Sequence, residues 1–218
     1  MIRMKRMNFR KNSRRNLIAH THPDSIISEQ YRTILTNIKF SMPEEKSRSI
    51  VITSTSLGEG KSTCAANLAV SMAQQKKKVL LIDANLRNPS LHSILKIPNK
   101  KGLTDILAGE CTFEQARLRT KVGKLDILIS GAIPYNPVAL LGSQIFQNLL
   151  TNALEIYDFV LLDSPSVLEV TDTKLLSNQC DGVVIVVNKG RTKLKKAIEM
   201  KKELDLAKAR YIGVIINE

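Results

Sequence analysis

Paired cysteines, tryptophan and long apolar runs are all missing from this sequence. Its three cysteines, Cys64, Cys111 and Cys180, are widely spaced and odd in number. They form no Cys-x-x-Cys pair, so we expect reduced thiols in a cytosolic protein. No apolar run approaches the ~18 residues that a membrane-spanning helix needs. The 218 residues, of which 43% are hydrophobic, suit one α/β domain with an ample core.

Acidic residues are missing from the start of the chain, where the first one is Asp24. The net charge of +13 is concentrated there in a run of basic residues: Arg3, Lys5, Arg6, Arg10, Lys11, Arg14 and Arg15. No apolar segment of the kind found in a secretory signal follows them. Residues 1–15 could rest on an anionic membrane surface, bind nucleic acid, or only stay solvated. We predict that residues 1–23 form a disordered basic tail.

The best-defined motif lies between the apolar run Ile50–Ile52 and a helical pattern that begins at Cys64. It reads Ser54-Thr55-Ser56-Leu57-Gly58-Glu59-Gly60-Lys61-Ser62-Thr63. Glycines let backbone N–H groups surround an anion, and the following helix directs the positive end of its dipole at it. Lys61 would reach the β- and γ-phosphates of a nucleotide and Ser62 would bind Mg²⁺. Thr55 stands where the strict pattern has glycine, and the alternative is an ordinary strand-to-helix turn. The motif predicts a nucleoside triphosphate site.

Two buried strands end in a carboxylate, Val79–Asp83 and Phe159–Asp163. In a parallel sheet the carboxyl ends of the strands line the ligand crevice, so both aspartates are candidates to meet Mg²⁺ or phosphate. The alternative for Asp83 is a surface aspartate that only ends a strand.

The rest of the chain alternates helices with strands. We predict helices from Ser25 and over Leu103–Gly109, Ser143–Tyr157, Thr171–Cys180 and Thr192–Lys208. Ile145 is among the inward residues of the third, and Leu194, Ile198, Met200 and Leu204 form the apolar side of the last. Strands are predicted over Leu125–Ile129, Gly182–Val187 and Tyr211–Ile216. This order predicts a three-layer α/β fold of the P-loop NTPase type, with a mostly parallel sheet covered on both faces. A single domain would span residues 24–218.

Five segments carry a family resemblance: Ser28–Thr33, the phosphate loop, Val79–Arg87, Val160–Pro165 and Val167–Asp172. In this order they resemble the bacterial tyrosine kinases (BY-kinases). The family comprises cytoplasmic ATP-dependent kinases of capsular and exopolysaccharide production, and its fold resembles that of MinD/ParA-type ATPases. Those ATPases carry a second lysine early in the phosphate loop, where this sequence has Ser56. The difference favours the kinase.

The resemblance implies a complete site for ATP and Mg²⁺. Asp83 would match a carboxylate close to phosphoryl transfer and a candidate base for the tyrosine hydroxyl, and Asp163 would match the Walker B aspartate. The implied catalytic residues are Lys61, Asp83 and Asp163. The implied metal ligands are Ser62, Asp83 and Asp163. The implied nucleotide-binding residues are Gly58, Glu59, Gly60, Lys61, Ser62, Thr63 and Asn217, of which Asn217 would contact the adenine.

The resemblance also implies where and with what the protein acts. The activator would be the cytoplasmic tail of a membrane-spanning polysaccharide co-polymerase, and the substrates would be protein tyrosines rather than nucleic acid. The chain would lie in the cytoplasm, peripheral to the inner face of the membrane.

Three features of the sequence depart from the family pattern. Asn85 replaces a second aspartate after the first of the two strands, and Leu35 replaces the last arginine of a ring-forming Glu-x-x-Arg-x-x-Arg pattern that begins at Glu29 and Arg32. No tyrosine-rich tail is present up to Glu218. We therefore keep three hypotheses: a tyrosine kinase, an impaired kinase-like scaffold that binds ATP, and a MinD/ParA-type ATPase. A ring oligomer is not expected.

Overall fold

An eight-stranded sheet organises the part of the chain that the structure describes. The structure is a computed structural model that describes residues 17–42 and 48–218, and the backbone of residues 2–3. The strands are β1 (Ile2–Arg3), β2 (Arg48–Ser54), β3 (Val79–Asp83), β4 (Leu118–Arg119), β5 (Leu125–Leu128), β6 (Phe159–Asp163), β7 (Gly182–Asn188) and β8 (Tyr211–Asn217). Their order across the sheet is β1-β8-β7-β2-β6-β3-β5-β4, and every pair is parallel except β4–β5.

Ten helices are described. They are α1 (Ile18–Thr21), α2 (Ile26–Ser41), α3 (Lys61–Gln74), α4 (Leu91–Leu95), α5 (Leu103–Leu107), α6 (Phe113–Ala116), α7 (Pro137–Leu141), α8 (Gln144–Ile156), α9 (Asp172–Gln179) and α10 (Leu194–Leu206). Among the described helices, none combines the length and the apolar character needed to span a bilayer.

The helices form a layer on each face of the sheet. One core lies between the sheet and helices α1 to α4, and the other between the sheet and helices α5 to α10. Strands β2, β3 and β6 are buried along their whole length, because helices cover both of their faces. The predicted three-layer, mostly parallel α/β fold is confirmed.

The predicted disordered tail differs from the structure at residues 17–22. Helix α1 packs on α3: the backbone N–H of Ala19 donates to Asn67 Oδ1 at 2.9 Å, and Gln74 Nε2 donates to the Ala19 carbonyl at 2.8 Å. Ala19 is fully buried, so this short segment gains enough apolar and polar contact to stay ordered. At the other end of the tail, β1 pairs with Ile215 and Ile216 of β8. The basic residues from Lys5 to Arg15 lie outside the described residues, as does most of the linker after α2.

Two predicted apolar faces are also wrong in part. Ile145 is 49% exposed, because it lies at the margin of the α8 stripe formed by Phe146, Leu149 and Leu150. On α10 only Met200 and Leu204 are buried. The predicted partners of these two residues, Leu194 and Ile198, are 77% and 51% exposed because they occupy a different stripe of the helix.

Candidate active site

The two strand-ending aspartates lie side by side. Strands β3 and β6 are neighbours in the sheet, and Asp83 and Asp163 are directly paired in register. Strand β2 lies on the other side of β6, and its carboxyl end leads into the phosphate loop. Three adjacent strands therefore bring Lys61, Asp83 and Asp163 to one edge of the sheet, as expected for parallel strands.

The phosphate loop has the backbone conformation that its glycines predict. Gly58 and Gly60 have φ angles of +79° and +93°, in the left-handed region that favours glycine. Gly60 has a second constraint, because a Cβ there would lie 2.2 Å from Asn217 Nδ2. Helix α3 begins immediately afterwards at Lys61, so its N-terminus points into the loop. Lys61 and Ser62 are both buried, at 6% and 9% exposure.

Glu59 acts on the loop itself, a role that the sequence did not reveal. Its carboxylate accepts hydrogen bonds from the backbone N–H and the hydroxyl of Thr55 at 2.8 and 2.6 Å, and from the backbone N–H of Ser56 at 3.2 Å. It also accepts one from the Thr192 hydroxyl at 2.5 Å. These bonds turn the Glu59 side chain into the loop. Glu59, which the sequence predicted to bind nucleotide, therefore holds the loop in shape through its side chain.

Residues distant in sequence complete the walls of the loop. Asn217 Nδ2 donates to the Glu59 carbonyl at 3.0 Å, and Arg191 Nη1 donates to the Gly58 carbonyl at 3.3 Å. Lys196 Nζ donates to Ser56 Oγ at 2.9 Å, and the Leu57 N–H donates to Glu169 Oε1 at 2.8 Å. The basic run from Lys189 to Lys196, placed after a buried strand, is the signal that could have indicated this wall.

The aspartate pair is electrostatically strained. Asp83 and Asp163 are fully buried, and burial raises the pKa of both carboxyls. Lys61 lowers the pKa of both groups, and the neighbouring Asp83 raises that of Asp163. Asp83 Oδ2 accepts from the backbone N–H groups of Ser90 and Leu91 at 3.0 and 2.9 Å. Asp83 Oδ1 and both Asp163 oxygens make no hydrogen bond with the described residues.

These unsatisfied oxygens fit a divalent cation. Buried carboxylate oxygens without donors carry a large desolvation cost, which a bound cation relieves. Two carboxylates and the Ser62 hydroxyl are oxygen ligands of the kind that Mg²⁺ prefers, and these residues would hold the ion. The donor set therefore suits the predicted Mg²⁺.

The segment after β3 is held by its own contacts. Asn85 is buried, and its Oδ1 accepts from the Asn88 N–H at 3.3 Å. Arg87 makes a two-bonded ion pair with the fully buried Asp172 at the start of α9, with distances of 2.9 and 3.0 Å. This pair ties the segment to α9, and the sequence did not predict it.

Comparison with known proteins identifies the family. An AAA domain family matches residues 47–212. The tyrosine-protein kinase YwqD of Bacillus subtilis (strain 168) is 46% identical over 203 residues, which cover 93% of this chain and 86% of that protein. The crystal structure of the chimerical protein CapA2B2 has a TM-score of 0.91 and 39% identity, covering 99% of this chain and 92% of that one.

Two further structures agree with this. The kinase domain of the Escherichia coli tyrosine kinase ETK has a TM-score of 0.88 and 29% identity, with 92% of this chain and 79% of that one covered. A more distant likeness is the septum site-determining protein MinD of Pyrococcus horikoshii, complexed with Mg-ADP. Its TM-score is 0.67 and its identity 27%, over 78% of this chain and 70% of that one. The chain therefore belongs to the bacterial tyrosine-protein kinases, whose P-loop fold is shared more distantly by MinD-type ATPases.

Proposed function

We propose that this chain transfers the γ-phosphoryl group of ATP to tyrosine hydroxyls of proteins and thereby regulates capsular or extracellular polysaccharide synthesis. One observation carries the proposal: a phosphate loop with a buried lysine lies at the same edge of the sheet as two paired, buried carboxylates, and Asp83 Oδ1 and both Asp163 oxygens have no donor among the described residues. Membership of the tyrosine-protein kinases gives the reaction class.

Each residue has a role that follows from its position. Lys61 neutralises charge that develops on the transferred group, and the loop N–H groups with the α3 N-terminus bind the phosphates. Ser62, Asp83 and Asp163 hold the metal. ATP with Mg²⁺, when bound, supplies the phosphoryl group and a leaving group whose charge the metal offsets. Asn217 is proposed to contact the adenine, since it stands at the end of β8 beside Gly60.

Asp83 is the proposed base for the tyrosine proton. Its Oδ2 is oriented by two backbone N–H groups, which leaves Oδ1 without a partner among the described residues and able to accept a proton. Burial raises the pKa of this carboxyl, so it binds a proton more readily than an exposed aspartate does.

The proposed setting is the inner face of the membrane. Family membership supports an activator that is the cytoplasmic tail of a membrane-spanning polysaccharide co-polymerase. The basic residues of segment 1–15 support a peripheral contact, since each basic charge near an anionic surface contributes about 1 kcal/mol.

The test combines binding and transfer. Lys61→Met should greatly weaken ATP binding in calorimetry with Mg²⁺ and abolish labelling of peptide tyrosine from labelled ATP. Lys202→Met makes the same chemical change on the exposed face of α10 and should leave both unchanged. Unchanged ATP affinity in Lys61→Met would show that the loop is not the nucleotide site.

The same assay separates the alternatives, with and without a peptide of the activator tail. Binding without tyrosine labelling would indicate a kinase-like scaffold. Release of free phosphate on addition of anionic vesicles or DNA, again without labelling, would indicate a MinD/ParA-type ATPase.

A further inference from the structure

Tyr135 is unlike the other three tyrosines of the chain. Its relative exposure is 105%, compared with 3% for Tyr31 and Tyr157 and 38% for Tyr211. The Tyr157 hydroxyl donates to Asp126 Oδ2 at 2.7 Å, and the Tyr211 hydroxyl donates to Asp205 Oδ1 at 2.7 Å. The Tyr135 hydroxyl has no such partner among the described residues. It is therefore the tyrosine hydroxyl that a second molecule can reach most easily.

The loop that carries Tyr135 lies at the edge of the sheet that holds the proposed active site. It leaves β5 at its carboxyl end, and β5 is paired with β3, the strand that ends at Asp83. It leads into α7, whose Leu141 carbonyl accepts from Gln179 Nε2 of α9 at 3.0 Å. The first residue of α9, Asp172, binds Arg87. The loop thus begins beside the strand that ends at Asp83 and leads into a helix that contacts α9.

The loop is anchored at both ends and presents Tyr135 on a stiff tip. At its start, the Asn99 side chain bonds both the N–H and the carbonyl of Gly131, at 3.0 and 2.8 Å. At its end, Asn136 Oδ1 accepts from the Ala139 N–H at 3.1 Å and caps α7. Pro134 precedes the tyrosine directly, and Pro137 follows Asn136. Because prolines restrict the backbone, little conformational entropy is lost when this tip enters another molecule's site.

The charge pattern favours entry into a second copy. Residues 127–154 contain no charged side chain, in a chain of net charge +13. The wall of the site is strongly basic and exposed, with Lys189, Arg191, Lys193, Lys195 and Lys196. An uncharged tip can approach this wall without like-charge repulsion. Ile133, 66% exposed beside the tyrosine, adds apolar area for contact.

We propose that Tyr135 is a phosphorylation site, modified by a second copy of this chain. The inference rests on the proposed function. The phenolic oxygen of Tyr135 forms a bond to the γ-phosphorus of ATP as the bond from that phosphorus to the β,γ-bridging oxygen breaks. ADP leaves, and the phenolic proton passes to the Asp83 carboxylate of the second copy. The step is intermolecular in this proposal, since the fully exposed ring is free to enter the site of another molecule.

Phosphopeptide mass spectrometry of the full chain, incubated with ATP and Mg²⁺, tests the proposal. We expect phosphate at Tyr135, with an initial rate per chain that rises in proportion to protein concentration. Mixed with wild-type protein, a Lys61→Met chain should be labelled at Tyr135, and a Lys61→Met/Tyr135→Phe chain should lose that label. Tyr211→Phe, which removes the second most exposed tyrosine, should keep it.

A synthetic peptide of residues 130–141 and a glutamate–tyrosine copolymer, assayed in parallel, separate the two possible failures. If they are phosphorylated while Tyr135 of the intact chain is not, the inference is overturned and the proposed function stands. If nothing is phosphorylated, both are overturned. A rate per chain that does not depend on protein concentration would overturn the intermolecular step.

A second measurement is independent of activity. Nitration of the nucleotide-free protein by tetranitromethane should modify Tyr135 much faster than Tyr31, Tyr157 or Tyr211. Slow nitration of Tyr135 would contradict the exposed presentation and overturn the inference.

Discussion

Asn85 follows Asp83 by two residues, and replacing it with aspartate adds a negative charge with little change in side-chain shape. It is buried, and its Oδ1 accepts the Asn88 N–H, a bond that an aspartate oxygen can also make. Asn85→Asp adds a carboxylate close to the proposed metal ligands. Because phosphoryl transfer depends on positioned metal and charge, we expect faster phosphorylation of a peptide tyrosine, by ~10²-fold or more, with little change in ATP affinity.

Asn88→Asp is the matched control, since it adds the same charge at an exposed position three residues further on. It should leave the rate unchanged. Equal rates for wild type and Asn85→Asp would mean that the amide at position 85 does not limit transfer, and that the protein is an ordinary kinase in this respect.

Asp163 predicts a pH effect on stability in the absence of nucleotide and metal. Burial raises the pKa of this carboxyl in the folded state, so the folded protein binds a proton that the unfolded chain has already lost. Stability is therefore highest below the unfolded pKa and falls as the pH rises through the folded pKa. Asp163→Asn removes the buried charge, so it should raise Tm at pH 8 and have a smaller effect at pH 5.

Thermal unfolding at the two pH values checks this, since 1 kcal/mol corresponds to about 2–4 °C in Tm at this chain length. Asp24→Asn, at an exposed position, is the control. A lower Tm for Asp163→Asn at pH 8 would contradict the electrostatic strain. The variant should also lose kinase activity, because it lacks one charged metal ligand.

At the scale of the element, helix α2 shows what the replacement at position 35 does. Leu35 is fully buried in the core between α2 and α3. The other two positions of the pattern are satisfied within the chain: Arg32 pairs with Glu29 at 2.5 Å and donates to the Pro23 carbonyl at 2.6 Å. The spacing of Tyr31, Ile34, Leu35 and Ile38 in the sequence predicts an apolar stripe that includes Leu35, and the structure buries all four residues.

Leu35→Ala should therefore lower the free energy of unfolding by about 2–5 kcal/mol, because it removes buried methyl groups and leaves a cavity. Phe40→Ala on the same helix, at a side chain that is 83% exposed, should change it by less than about 0.5 kcal/mol. Urea unfolding measures both. Equal effects would show that α2 does not pack on α3 as described.

At the scale of the whole molecule, charge and the loss of a ring-forming arginine both oppose assembly. Leucine cannot supply the two-bonded contacts of a guanidinium, and the Leu35 side chain lies inside its own subunit. The net charge of +13 adds repulsion between copies, which salt screens over about 10 Å at 0.1 M. We predict a monomer or a small, weak oligomer at micromolar concentration.

Light scattering after size-exclusion chromatography, at low and at moderate salt, tests this prediction. Association should grow with salt if repulsion limits it. A stable octamer at either salt concentration would contradict the prediction.

The sequence by itself determined the fold class and the core of the candidate site. Local patterns in the sequence predict three features of the site. They are the glycines of the phosphate loop, the helix that starts at Lys61, and the buried strands that end in Asp83 and Asp163. These features depend on local backbone preferences. The parallel α/β order then implied that these carboxyl ends share one edge, which is why Lys61 and the two aspartates could be assigned together.

Tertiary structure decided which distant residues touch this core. Three contacts join positions far apart in the chain: Thr192 with Glu59, Asn217 with Gly60, and Ala19 with Asn67. The exposure of Tyr135 and of Ile145 was decided in the same way. Such contacts and exposures depend on which strands are neighbours and on which helix covers each face. A periodic pattern in the sequence predicts which residues can face a core. Only the packed neighbours determine whether such a residue is buried.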